Sequence, residues 1–227
     1  MTPSHARGIT AALLAAFAIV ACGGTTGGAV QPSPQPSTGG EGDLAGIAKA
    51  QADSARRPYT EADTRFMSGV IGHHAQAIVM AGWAPSRGAG ASVLRLAERI
   101  INAQTDEIAL MQQWLRDRRQ PVPEARGAGM KMVMNGVEHE MLMPGMLSGA
   151  QMKQLEAARG PEFDRLFLGF MIQHHKGALT MVQELFGSYG AGQDQTVFKL
   201  ASDINVDQTT EIARLEKMLV ALLTSPQ

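Results

Sequence analysis

Apolar residues recur along this chain with a helical period, and the breaks between the periodic stretches define its elements. From residue 63 to 81, Phe66, Val70, Ala77 and Ala81 fall on one stripe, with His73 and His74 at its edges. Thr60 followed three residues later by Asp63 reads as an acidic variant of a capping box and starts this first helix. A glycine-rich break over 82–90 ends it. A second helix is predicted over 93–115, stopped by Pro121 and Pro123. A third runs over 163–186, after Gly160-Pro161, and a fourth over 196–223. Short loops join helices one and two, and three and four. That arrangement predicts an all-α four-helix bundle over 58–224, with a further short helix allowed at 44–57.

The bundle is written twice. Asp63, Phe66, Ile71, His73-His74, Ala77 and Met80 recur at a constant offset of 101 residues as Asp164, Phe167, Ile172, His174-His175, Ala178 and Met181. A second shared pattern follows each copy: Ile100, Gln104, Glu107 and Ile108 match Ile204, Gln208, Glu211 and Ile212 at an offset of 104. Each half is therefore a helix pair. The connection between the halves, 120–159, is long, and it carries seven methionines between Met130 and Met152 together with His139. Asn135-Gly136 is a two-residue hairpin signal that would pair Met134 with Val137, Met132 with His139 and Met130 with Met141. Ser148 with Gln151 reads as a capping box for a short helix ending near Ala158.

Composition changes this picture in three places. A formal net charge of -1 offers no electrostatic footprint for nucleic acid. A single cysteine excludes an intramolecular disulfide and a multi-cysteine zinc site, whereas 14 methionines are an excess. The first 21 residues have a positive Arg7, an apolar stretch from Ile9 to Val20 and a small residue before Cys22, so they read as a lipoprotein signal peptide with Cys22 lipidated; a plain secretory signal is the alternative. The apolar run is short for a spanning helix. Residues 23–42, rich in Gly, Pro, Ser, Thr and Gln, form the expected tether within a 22–57 linker region. Anchor, tether and bundle in this order suit a protein held at a membrane in the cell envelope, facing the periplasm or exterior.

The candidate chemistry is metal binding. Imidazole is a good ligand for copper, zinc, iron and nickel, and four of the histidines sit at equivalent repeat positions: His73, His74, His174 and His175. Adjacent residues on a helix diverge by about 100°, so one of each pair can face the bundle axis while its neighbour faces another helix or solvent. Met80 and Met181 follow the first histidine of each pair by seven residues, about 10.5 Å along the axis, which is too far for one helix to chelate one ion. They either join a site from the next layer or fill the core. Glu107 and Glu211, with Gln104 and Gln208, could supply oxygen ligands, orient the imidazoles or simply be helix polarity. Thioethers favour soft ions such as Cu(I), so His139, Met141, Met143 and Met146 form a candidate soft site with Met130, Met132 and Met134; an apolar cover over the bundle is the plainer alternative. No Glu-x-x-His, nucleophile elbow, phosphate-binding glycine loop or His-Glu-x-x-His occurs, so no catalytic constellation is expected.

These residues resemble a known family. Tyr59 to Asp63, Phe66-Met67, His73 to Ala77, Met143-Pro144-Gly145-Met146, Phe163 to Leu168 and Met171 to Ala178 resemble the family catalogued as domain of unknown function 305, which includes CopM-type periplasmic copper-binding proteins. The resemblance spans 59–222. It implies a ferritin-like bundle and, for the studied members, binding of copper or silver through His and Met. Gly69 and Gly72 depart from the pattern, where a bulkier residue is expected in at least one place and closer packing of helix one follows. The expectation is a lipid-anchored protein that sequesters or passes on copper, Cu(I) before silver, zinc or iron. A redox enzyme on the same scaffold and a purely structural bundle are the alternatives. A homo-oligomer, and a partner that exchanges the ion, remain open.

Overall fold

The computed structural model describes residues 59–127, 130–134 and 137–224, with the backbone alone for the two segments between 130 and 141. The expected signal peptide, Cys22, the tether and the helix at 44–57 lie outside the described residues. Four long helices carry the fold: α1 (Glu61–Gly82), α2 (Ala91–Asp117), α4 (Gly160–Gly187) and α5 (Gln195–Thr224). Between the halves lie strands β1 (Met130–Met134) and β2 (Val137–Met141) and the short helix α3 (Gly149–Ala157). The strands pair antiparallel with Met130 opposite Met141, Met132 opposite His139 and Met134 opposite Val137, the register expected from the Asn-Gly turn.

Local signals set the helix starts. Asp63 N–H donates to Thr60 Oγ1 at 3.3 Å and Thr60 N–H donates to Asp63 Oδ2 at 2.7 Å, closing the capping box of α1. The same reciprocal pair forms between Ser148 and Gln151 at α3. α1 packs on α2, α4 on α5, and α1 on α4, whereas α2 and α5 make no comparable contact. The described residues thus form a four-helix bundle of two helix pairs. Two apolar clusters fill it: one around Phe66, Met67, Ile71, Met111 and Leu115, the other around Met80, Phe163, Phe167, Leu168 and Met171. Among the described residues, no helix is long and apolar enough to cross a membrane.

The repeat also stitches the halves together. Asp63 Oδ1 accepts Gly192 N–H, ahead of α5, at 2.7 Å, and its counterpart Asp164 accepts Gly90 N–H, ahead of α2, at 3.0 Å. Each half therefore uses its own aspartate to tie down the loop of the other. Burial raises the Asp164 carboxyl above its ordinary value, and the Gly90 N–H pulls the other way.

Candidate metal centre

The four repeat histidines meet where α1 crosses α4, and none of them has any solvent exposure. The His73 and His174 rings lie face to face, with centroids 3.8 Å apart and planes inclined at 37°. Their neighbours turn outward toward the second helix of their own half. His74 Nε2 lies 2.8 Å from Glu107 Oε2 on α2, and His175 Nε2 lies 2.9 Å from Glu211 Oε2 on α5. The solvent-facing option left open for one histidine of each pair is not realised: about 100° between adjacent residues points one ring at the partner half and the other at a carboxylate. Arg99 Nη2 holds the other oxygen of Glu211 at 3.2 Å.

Much of the polar capacity of these rings is unspent. Nδ1 of all four histidines is buried without a hydrogen-bond partner, as are the side-chain oxygens of Gln104 and Gln208. Burial, and after it the neighbouring His74, pulls the His73 imidazole down from its ordinary value to about 3. Burial followed by His73 and His175 likewise holds His174 well below the ordinary range. At neutral pH these two rings are uncharged and carry free lone pairs, the form in which imidazole binds a metal. Among the described residues, no three His, Cys, Asp or Glu side chains converge on one point that could hold an ion.

One segment of the connection reaches this centre, and the sequence pattern alone did not reveal its path. Residues Met143 to Leu147 form a strap laid over α1 and α4. His73 Nε2 lies 3.1 Å from the Pro144 carbonyl oxygen. Gln76 clamps the strap, accepting Leu147 N–H at 2.7 Å and donating to Leu147 O at 3.1 Å. Gly145 crosses α4 with φ of 75°, and a Cβ on Gly177 would stand 1.9 Å from Pro144 O, so only glycine admits the crossing. The thioether of Met143 and the methyl of Met181 close over Gly69, each 3.2 Å from where a Cβ would stand there. The closer packing expected at Gly69 is thus supplied by two methionines, one helical turn before His73.

The remaining candidates are placed as follows. Met80 is fully buried in the second apolar cluster, and Met146, within the strap, is buried. His139 and Met141 lie on β2, across from Met132 and Met130. Gln76, Gln173 and the two glycines that receive the strap were not singled out as site residues; they could have been found as the positions where the two repeat copies disagree.

The family model for the domain of unknown function DUF305 matches residues 63–219, which include both helix pairs, all four histidines and the strap. The chain belongs to the DUF305 family. Among solved DUF305 proteins, a secreted protein from Streptomyces coelicolor, described as putative, shares the fold at a TM-score of 0.60 and 24% identity, covering 73% of this chain and 96% of the other. A DUF305 fragment from Deinococcus radiodurans matches at 0.58 and 28%, covering 71% and 97%. CopM, solved in its Cu(II)-bound form, matches at 0.54 and 27%, covering 69% and 95%. No curated protein sequence is similar enough to match.

Proposed function

We propose that this DUF305 chain is a non-catalytic metal-binding protein of the cell envelope that sequesters or passes on copper-type ions, with Cu(I) and Ag(I) as its natural cargo. The observation that carries this reading is the set of four fully buried histidines whose Nδ1 atoms have no partner. A buried polar atom left unpaired costs about 1–3 kcal/mol, and a bound cation removes that cost. The likeness to CopM, solved with copper bound, supports the choice of metal. So does the donor set: neutral imidazoles at His73 and His174, with Met143 and Met181 over Gly69 one helical turn before His73, suit a soft ion. Such an ion is satisfied by fewer donors than the four-ligand cage of structural zinc, in keeping with a centre where, among the described residues, no three His, Cys, Asp or Glu side chains converge. In this reading His74 and His175 are oriented by Glu107 and Glu211. Met80 and Met146 shape the apolar wall, and His139 and Met141 with the other hairpin methionines offer a second soft site. Cys22 carries the lipid that keeps the domain at the membrane.

The test is a titration of the purified domain with Cu(I), Ag(I) and Zn(II), alongside a His73→Ala/His174→Ala double variant. Sub-micromolar binding of the soft ions by the wild type, lost in the variant, is expected. Equal binding by the variant, or no binding by the wild type, would overturn the assignment. For the anchor, Cys22→Ala should move the expressed protein from the membrane fraction to the soluble envelope fraction.

A further inference from the structure

Four histidines with no solvent exposure need a route by which an ion reaches them. On one side the strap closes the centre, with Pro144 O on His73 and both backbone groups of Leu147 held by Gln76. On the other side lies a cleft of about 240 Å³ between α2 and α5, the two long helices that make no contact comparable to those of the other helix neighbours. Its lining includes Glu107 and Glu211, the two carboxylates that touch His74 and His175. A space of this size holds several waters, and therefore a cation with part of its hydration shell.

We propose that this α2/α5 cleft is the port through which a hydrated monovalent or divalent cation enters and leaves the histidine centre. The inference rests on the metal-binding reading above and adds the route to it. Two independent features support a cation as the occupant. First, Gln104 and Gln208 line the cleft from equivalent repeat positions; they are 2% and 4% exposed, and the side-chain oxygen of each has no hydrogen-bond partner. A buried amide oxygen of this kind can replace a water on a passing cation. Second, Asp207 lines the cleft along with Glu107 and Glu211, and Asp203 acts on the same group; burial first and then the charges of Glu107, Asp203 and Glu211 disfavour the ionised Asp207 carboxylate. An arriving cation relieves that crowding. Arg99 and Arg214 also line the cleft, and Arg99 is engaged by Glu211, so the carboxylates outnumber the guanidinium groups.

The measurement is the rate of Ag(I) loading into the purified domain, by stopped-flow fluorescence, with equilibrium affinity measured separately by competition. Ala103 lines the cleft on an exposed position, so Ala103→Phe narrows it without entering the core. Asp207→Lys reverses the charge on its wall. Both variants should keep an affinity close to wild type. Ala103→Phe should load several-fold more slowly, and Asp207→Lys about ten-fold more slowly at low salt, with the deficit shrinking as salt is added. Wild-type rates in both cleft variants would overturn the port while leaving the metal-binding reading intact. Absence of Ag(I) binding by the wild type would overturn both.

Discussion

A buried imidazole nitrogen without a partner is costly, and this chain keeps four such Nδ1 atoms at matched positions of a repeat. The cost has a measurable signature in the pH dependence of stability. His73 titrates near 3 in the folded state and near 6.5 once unfolded, so between these values the unfolded chain binds more protons than the folded one. Stability from this group is fully present above pH 6.5 and is lost as pH falls toward 3. The slope approaches about 1.4 kcal/mol per pH unit for His73 alone, and His174 acts in the same direction. Urea unfolding of the metal-free protein between pH 7 and 4.5 should show this decline, and His73→Leu should flatten it. Equal slopes for wild type and variant would mean that His73 is protonated in the folded state.

At the scale of the elements, the two halves are most alike where they face each other and least alike where the strap crosses. The matched residues, His73 with His174, Glu107 with Glu211 and Asp63 with Asp164, make the matched contacts. The mismatched pairs sit under the strap: Gln76 clamps it where Gly177 admits it, Gly69 receives Met143 where the other copy has Phe170, and Gln173 donates to Gly145 O at 3.3 Å where the first copy has Gly72. A repeat with one connection must break its symmetry where that connection docks. Two substitutions in α4 test this. Gly177→Ala puts a methyl group into the Pro144 carbonyl and should cost about 1–3 kcal/mol, with faster hydrogen exchange at Leu147 N–H. Gly169→Ala meets nothing within 4 Å and should stabilise the helix by about 0.5–1 kcal/mol. If the two variants behave alike, the strap is not seated on Gly177. The same contrast explains how far the sequence could be followed. Helix period, capping boxes and the Asn-Gly turn are local, and they gave the four helices, α3 and the hairpin register. The strap and the aspartate stitches join residues 28 to 129 positions apart, the cleft arises where two helices pack least, and no local pattern encodes them.

At the scale of the whole molecule, the central pair of rings comes one from each half, so an ion held there joins the halves as the aspartate stitches do. Ligand binding to the folded state alone stabilises it by about 2.7 kcal/mol when free ligand stands at a hundred times its Kd. For a domain of this size that corresponds to a rise in Tm of about 5–10 °C. Differential scanning calorimetry with Cu(I) or Ag(I) should therefore show one transition moving up as a unit, returning to its starting point when a soft-metal chelator is added. The location of the ion decides which variant removes the shift. An ion on His73 and His174 stabilises both helix pairs, and the shift disappears in His73→Leu/His174→Leu. An ion on the methionines of β1 and β2 engages a hairpin whose strands pair chiefly with each other, and the same double variant would keep whatever shift the wild type shows. A full shift surviving in that variant would place the cargo in the connection and leave the buried histidines as packing residues.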